Sequence, residues 1–175
     1  MKTPAAPEIK PVTVDPKTTA LIMGDLVNQL CGKRPRCAAA IPAIKKLVGE
    51  ARAAKVAVIY SLPPNTTTAD VITDVAPAAD EPSVQSGVDK FFKTNLEQIL
   101  KDKGIQTVIL VGTSAEGLVI YTGGAAALRG LNVVVPVDGI GSVEAFAEQY
   151  TAWHMTHAPI VSPKVTLTRT GMIKF

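Results

Sequence analysis

Asp25 sits near the end of an otherwise apolar run, ALIMGDL (Ala20 to Leu26), and a carboxylate at such a place has two uses. Buried, it is poised for proton transfer; at the edge of a turn, it caps the loop that follows. Asn28 comes three residues later, where its amide can position a neighbour through hydrogen bonds or serve as a turn residue. The segment VGTSAEG reads as a tight strand-to-helix turn whose free backbone N–H groups can stabilise an anion. Within it, Ser114 suits N-terminal capping better than attack on a carbonyl, because a hydroxyl without a neighbouring base is a poor nucleophile. Glu116 either complements the helix dipole or faces a substrate.

Other chemistries are excluded on spacing. Gly112 and Gly117 stand as in a phosphate loop, but Leu118 and Val119 occupy the places where Lys and Ser/Thr would hold phosphate and Mg²⁺. No G-x-G-x-x-G follows a strand-like run, which removes the dinucleotide fingerprint. His154 and His157 have no Cys, Asp or Glu placed to complete a zinc pattern. No metal and no cofactor are expected.

The elements that would position these residues show in the pattern of apolar runs. ALIMGDL, VAVIYSL (Val56 to Leu62), TVILVGTSA (Thr107 to Ala115) and NVVVPVDGI (Asn132 to Ile140) are short, continuous and rich in Val and Ile, as strands covered on both faces require. Helical periods lie between and after them, at Ala38 to Ala54, Asn95 to Lys103, Glu116 to Arg129 and Glu144 to Thr156. Lys103-Gly104 and Arg129-Gly130 are helix stop signals. The alternation predicts an α/β fold, a three-layer α/β/α sandwich on a parallel sheet. Ligands of such sheets bind beyond the carboxyl ends of the strands, here after Asp25, Ser61, Leu62, Thr113 and Asp138. Residues 63 to 93 read as a long loop with a short helix near Ala69 to Val75 and a strand near Ser83 to Ser86. Residues 1–18, with Pro4, Pro7, Pro11 and Pro16, read as an extended N-terminal arm, and 19–175 as one domain.

Composition agrees with a globular chain. Of 175 residues, 47% are hydrophobic and 19% charged, which argues against disorder. A net charge of +3 is too mild to call for nucleic acid, and no apolar stretch reaches the roughly 20 residues of a membrane span. The expected partner is a small molecule, with no nucleic acid and no membrane.

In order along residues 18 to 168, ALIMGDLVNQL, VAVIYSLPP, a Lys-Phe-Phe-x-Thr-x-Leu segment and GIQTVILVGTSAEGLVIYTGGAAALRGLNVVVPVDGIGS resemble the isochorismatase-like (cysteine hydrolase) family. In that family the first strand ends in D-x-x-N, similar to Asp25 to Asn28, and a segment of the form G-V-A-T-x-x-C-V opens a helix. The resemblance implies the same three-layer fold and a site built from an Asp base, a supporting Lys and a Cys nucleophile. Aligned without a gap, it puts Leu118 at the place of the sulfur, and leucine has no atom that can attack a carbonyl. Aligning Thr94 and Leu96 puts Ser86 at the place of the lysine, with Lys90 four residues later. The expected site is Asp25 and Lys90 as catalytic groups, with Asn28, Ser114, Glu116 and Leu118 against the substrate. The resemblance also offers a route without sulfur, in which the strand-end Asp protonates a vinyl ether and water adds to the oxocarbenium ion. The alternative is a noncatalytic binding protein of the same fold.

Cys31 and Cys37, the only cysteines, flank GKRPR, and a disulfide closing this loop is favoured over a nucleophilic role for Cys31. With the proline-rich arm, it points to a mature exported protein rather than a cytoplasmic one. Homo-oligomerisation is expected from the family, and the small residues Gly123 to Ala127 suit either close packing between copies or packing on the sheet.

Overall fold

The computed structural model describes residues 4–175. In chain order the strands are β1 (Val12–Thr13), β2 (Thr19–Gly24), β3 (Ala57–Leu62), β4 (Ser83–Gln85), β5 (Thr107–Thr113), β6 (Asn132–Pro136), β7 (Ile140–Gly141), β8 (Val165–Thr168) and β9 (Ile173–Lys174). The helices are α1 (Pro35–Ala53), α2 (Leu96–Asp102), α3 (Ile120–Leu128) and α4 (Ala145–His157). The main sheet runs β4-β3-β2-β5-β6-β8, with β7 pairing β5, and every pairing is parallel.

Strand β2 is central, and all six of its residues are buried, so its run of apolar side chains serves both faces. Leu21 and Met23 face α1, which buries Ile41, Ile44, Leu47, Val48 and Ala51 at helical spacing. Ala20 and Ile22 face the other layer, with Leu96 and Leu100 of α2, Ala126 and Ala127 of α3 and Met155 of α4. This is the expected three-layer sandwich. The stop signals act as the sequence suggests: Gly104 and Gly130 follow α2 and α3 at φ +65° and +84°, a region a Cβ disfavours.

Several elements differ from the sequence reading. The segment Asn132 to Ile140 is two strands, because the chain turns at Val137 to Gly139 and β7 moves over to β5. The short helix near Ala69 is two 3₁₀ turns, Thr68–Asp70 and Thr73–Val75. The described part of the arm is tied down, with β1 pairing β9 in parallel and Val14 buried; residues 1–3 lie outside the described residues. Of the small residues in α3, Gly123 lies where an added Cβ would be 2.8 Å from Met155 Cε, and Ala126 is fully buried, so they close α3 onto the sheet and α4. Among the described residues no helix is long and apolar enough to cross a membrane.

Candidate active site

The chain leaves β2 through Asp25, which adopts φ +53°, a left-handed conformation that Asp tolerates better than most residues. Its N–H donates to Ser61 O (3.0 Å), so the turn stays attached to the end of β3. The carboxylate is therefore held inside the molecule, its side chain 9% exposed, with Oδ1 accepting from Ser61 Oγ at 3.1 Å and paired with Lys90 Nζ at 2.8 Å.

Lys90 is fully buried, yet it comes from the irregular region between β4 and α2. Two contacts with α3 fix that region: Lys90 N donates to Thr122 Oγ1 (3.1 Å), and Thr122 Oγ1 donates to Val88 O (2.7 Å). Besides Asp25, Nζ donates to Leu62 O (3.2 Å) and Ser86 O (2.9 Å). Three acceptors match the three hydrogens of an ammonium group, the condition under which a lysine can be buried without a large penalty. Ser86, which alignment put at the lysine's place, supplies a carbonyl to Lys90 instead.

Burial pushes the Asp25 carboxyl above its ordinary range, with Lys90 and then Ser61 pulling the other way. Burial likewise pushes the Lys90 ammonium down, and Asp25 opposes it. Both donors converge on Oδ1, and Oδ2 accepts no hydrogen bond among the described residues. Oδ2 is thus the position at which this carboxyl can carry or accept a further proton.

Leu118 is 1% exposed and packs on the residue just before Asp25: a Cβ on Gly24 would lie 2.6 Å from Leu118 Cδ2 and 2.7 Å from Val111 O. It belongs to a π-type turn, Ala115–Val119, running into α3, in which Val119 N donates to Ser114 O. Ser114 makes no capping hydrogen bond with its side chain, contrary to the capping role read from the sequence; its carbonyl receives the N–H groups of Gly117 and Val119 instead. Glu116 Oε2 accepts from Ser142 Oγ (2.6 Å), tying the turn to the segment after β7. Asn28 is exposed, and both its backbone N–H and its side-chain amide donate to Asp70 O (2.9 and 3.0 Å), which joins the loop after β2 to the 3₁₀ turn. Asp25, Lys90 and Leu118 are thus brought to one place, while the side chains of Asn28 and Glu116 are engaged elsewhere.

Cys31 and Cys37 are disulfide-bonded and fully buried, as the loop spacing suggested, so no thiol is free. Asp138 accepts from Thr170 N (2.8 Å) and Thr170 Oγ1 (2.9 Å) and secures the C-terminal segment. His157 stacks on Trp153 with centroids 4.7 Å apart. A hollow of about 430 Å³ is lined by Pro35, Arg36, Asp138, Ile140 and Glu148 rather than by the loops after Asp25 and Leu62.

Three residues of the site escaped the sequence reading in role: Ser61 as the hydroxyl partner of Asp25, and Arg34 with Thr113, joined by a 3.0 Å hydrogen bond from Nη1 to Oγ1. A lone serine inside VAVIYSL and an arginine between two cysteines were the available signals.

The profile of the isochorismatase domain matches residues 19–163. The chain belongs to the isochorismatase family. Among solved structures, an isochorismatase-like hydrolase from Alkaliphilus metalliredigens is 21% identical with a TM-score of 0.79, over 88% of this chain and 87% of that one. A cysteine hydrolase from Pseudomonas syringae pv. phaseolicola is 22% identical with a TM-score of 0.77, over 98% and 95%. An N-carbamoylsarcosine amidase from Thermoplasma acidophilum is 22% identical with a TM-score of 0.74, over 87% and 96%. At these identities the likeness is one of fold. Among curated protein sequences none matches the chain.

Proposed function

We propose that this member of the isochorismatase family is a hydrolase of small vinyl ethers that works without a thiol, with Asp25 as general acid and Lys90 as its partner. The observation that carries the reading is the buried Asp25–Lys90 pair, in which Oδ1 is occupied and Oδ2 is left for the reacting proton. The Asp25 carboxyl gives its proton to the terminal vinyl carbon, leaving an oxocarbenium ion. Water adds to that ion, and the hemiketal collapses to a ketone and an alcohol as the proton returns to Asp25. Lys90 offsets the negative charge on the carboxylate between the two transfers, and Leu118, with the turn at Ser114, keeps the surroundings apolar, which favours a neutral acid. Asn28 and Glu116, whose side chains are bound to Asp70 O and Ser142 Oγ, brace the loop after β2 and the turn before α3 rather than contact the substrate.

A second reading, a binding protein of the same fold, has its own support in the near-complete enclosure of Asp25 and Leu118. Turnover of a panel of vinyl ethers and amides by the wild type and by Asp25→Asn separates the two. Asn keeps an acceptor for Lys90 and tolerates the φ of this position, so the variant retains the fold while losing the proton. Hydrolysis by the wild type alone supports the acid role, equal hydrolysis by both discards it, and ligand-induced stabilisation without turnover favours the binding protein. The disulfide supports an oxidising compartment for the mature chain, and the exposed Tyr121, Phe146 and Tyr150 support a homo-oligomer.

A further inference from the structure

Arg34 lies between the two bonded cysteines and directly before Pro35, the first residue of α1. A residue in front of proline is kept out of the helical region, and Arg34 is extended at φ −109° and ψ 107°. Its half-buried side chain reaches away from α1 to Thr113, the last residue of β5, and donates from Nη1 to Oγ1 at 3.0 Å. The other end of the loop is anchored on the same strand end. Gly141 pairs with Thr113, and a Cβ on Gly141 would lie 2.6 Å from Cys37 Cα, so the second cysteine rests on bare backbone. The disulfide and these two contacts fix where the guanidinium sits.

That place lies at the carboxyl end of the sheet, on the strand next to the one that leads into the acid. The register pairs Gly24 with Gly112, which makes Asp25 and Thr113 the next residues on neighbouring strands, whose axes run about 4.8 Å apart. Arg34 comes to the carboxyl end of the sheet from the α1 side, while Lys90 and Leu118 come from the side of α3. No carboxylate lies within 4.0 Å of Arg34 among the described residues, whereas Arg36 in the same loop is paired with Glu148. One of the five guanidinium donors is used on a hydroxyl, and the remaining fork is the geometry that recognises planar or tetrahedral oxyanions.

We propose that Arg34, held by the Cys31–Cys37 disulfide, is the specificity-determining residue of the site and binds an oxyanion of the ligand. The preferred ligand is therefore a small anion, with its oxyanion on Arg34 and the rest of the molecule over the carboxyl ends of β2 and β5. The inference takes the site from the proposed function, but its test needs no turnover.

The test is an NMR titration at constant ionic strength with 2-methoxypropanoate, its amide and methyl phosphate, none of which has a vinyl ether to hydrolyse. The wild type should bind at least one of the two anions ten-fold or more tightly than the amide, and the better anion tells a carboxylate site from a phosphate site. Arg34→Gln should reduce that preference to two-fold or less, and Arg34→Lys should keep part of it, since lysine supplies the charge without the fork. Cys31→Ser/Cys37→Ser, with its fold checked by circular dichroism, should weaken the anion several-fold and leave the amide unchanged. Equal binding of anions and amide by the wild type, or an unchanged preference in Arg34→Gln, overturns the assignment. An unchanged preference in the double serine variant overturns the role of the disulfide. A failure of Asp25→Asn to affect vinyl ether turnover would count against the proposed reaction and leave this result standing.

Discussion

Two charged regions follow β2, and they are built on opposite principles. The Asp25–Lys90–Ser61 cluster takes its charges almost wholly out of water and joins Asp25, Ser61, Leu62 and Lys90, residues far apart in sequence. The loop Cys31–Cys37 leaves Arg34 and Arg36 partly in solvent and holds them by a covalent bond between near neighbours. In the first region the low dielectric makes every unpaired charge costly, so substitutions register as lost stability. In the second, solvent screens the charges and substitutions register as altered binding.

The largest effect should follow Lys90→Met, which leaves a buried carboxylate without its cation and should cost about 3–5 kcal/mol in urea denaturation. Asp25→Asn/Lys90→Met removes both charges and should recover most of that loss; a single variant as stable as the wild type would break the contrast between the regions. The sign of the pH dependence follows from the shifts. With Asp25 raised, the stability associated with its neutral form is full below the ordinary carboxylate range and is lost as pH rises through the raised value. With Lys90 lowered, the corresponding contribution is full above the ordinary ammonium range and is lost as pH falls through the lowered value. The double variant should therefore gain most on the wild type in the pH window between the two values, as read from urea midpoints across that range. Leu118→Ala comes next: it empties space beside Gly24 and should cost about 3 kcal/mol by thermal or chemical unfolding. Cys31→Ser/Cys37→Ser should cost about 2 kcal/mol, the loop-closure contribution for so short a loop. Smallest of all, Arg36→Gln breaks an ion pair at an exposed arginine, and its unfolding midpoint should stay within experimental scatter of the wild type.

The same contrast explains how far the sequence could be read. The parallel strands are visible as Val- and Ile-rich runs because burial on both faces leaves no alternation, and Gly104 and Gly130 mark helix ends through their positive φ. The disulfide is visible because its partners are six residues apart. The Asp25–Lys90 contact spans the irregular region from Pro63 to Lys90, whose path is set by Thr122 and Val88 rather than by any local period, so the sequence pattern does not decide between Ser86 and Lys90. Strand β8, whose four residues include two threonines, has no continuous apolar run, and β9 is two residues long; tertiary pairing creates them. Nothing local in the sequence shows that the residue before Pro35 ends against Thr113.

The central claim is that Asp25 delivers a proton without help from sulfur. Hydrolysis of 2-methoxyacrylate to pyruvate and methanol, followed as kcat/KM against pH in the wild type and in Asp25→Asn, tests it most directly. The account predicts wild-type turnover that persists after iodoacetamide, falls as pH rises through the raised value of Asp25, and drops about 10²- to 10⁴-fold in the variant. Equal rates in the two proteins would contradict it, as would the absence of wild-type turnover of any vinyl ether.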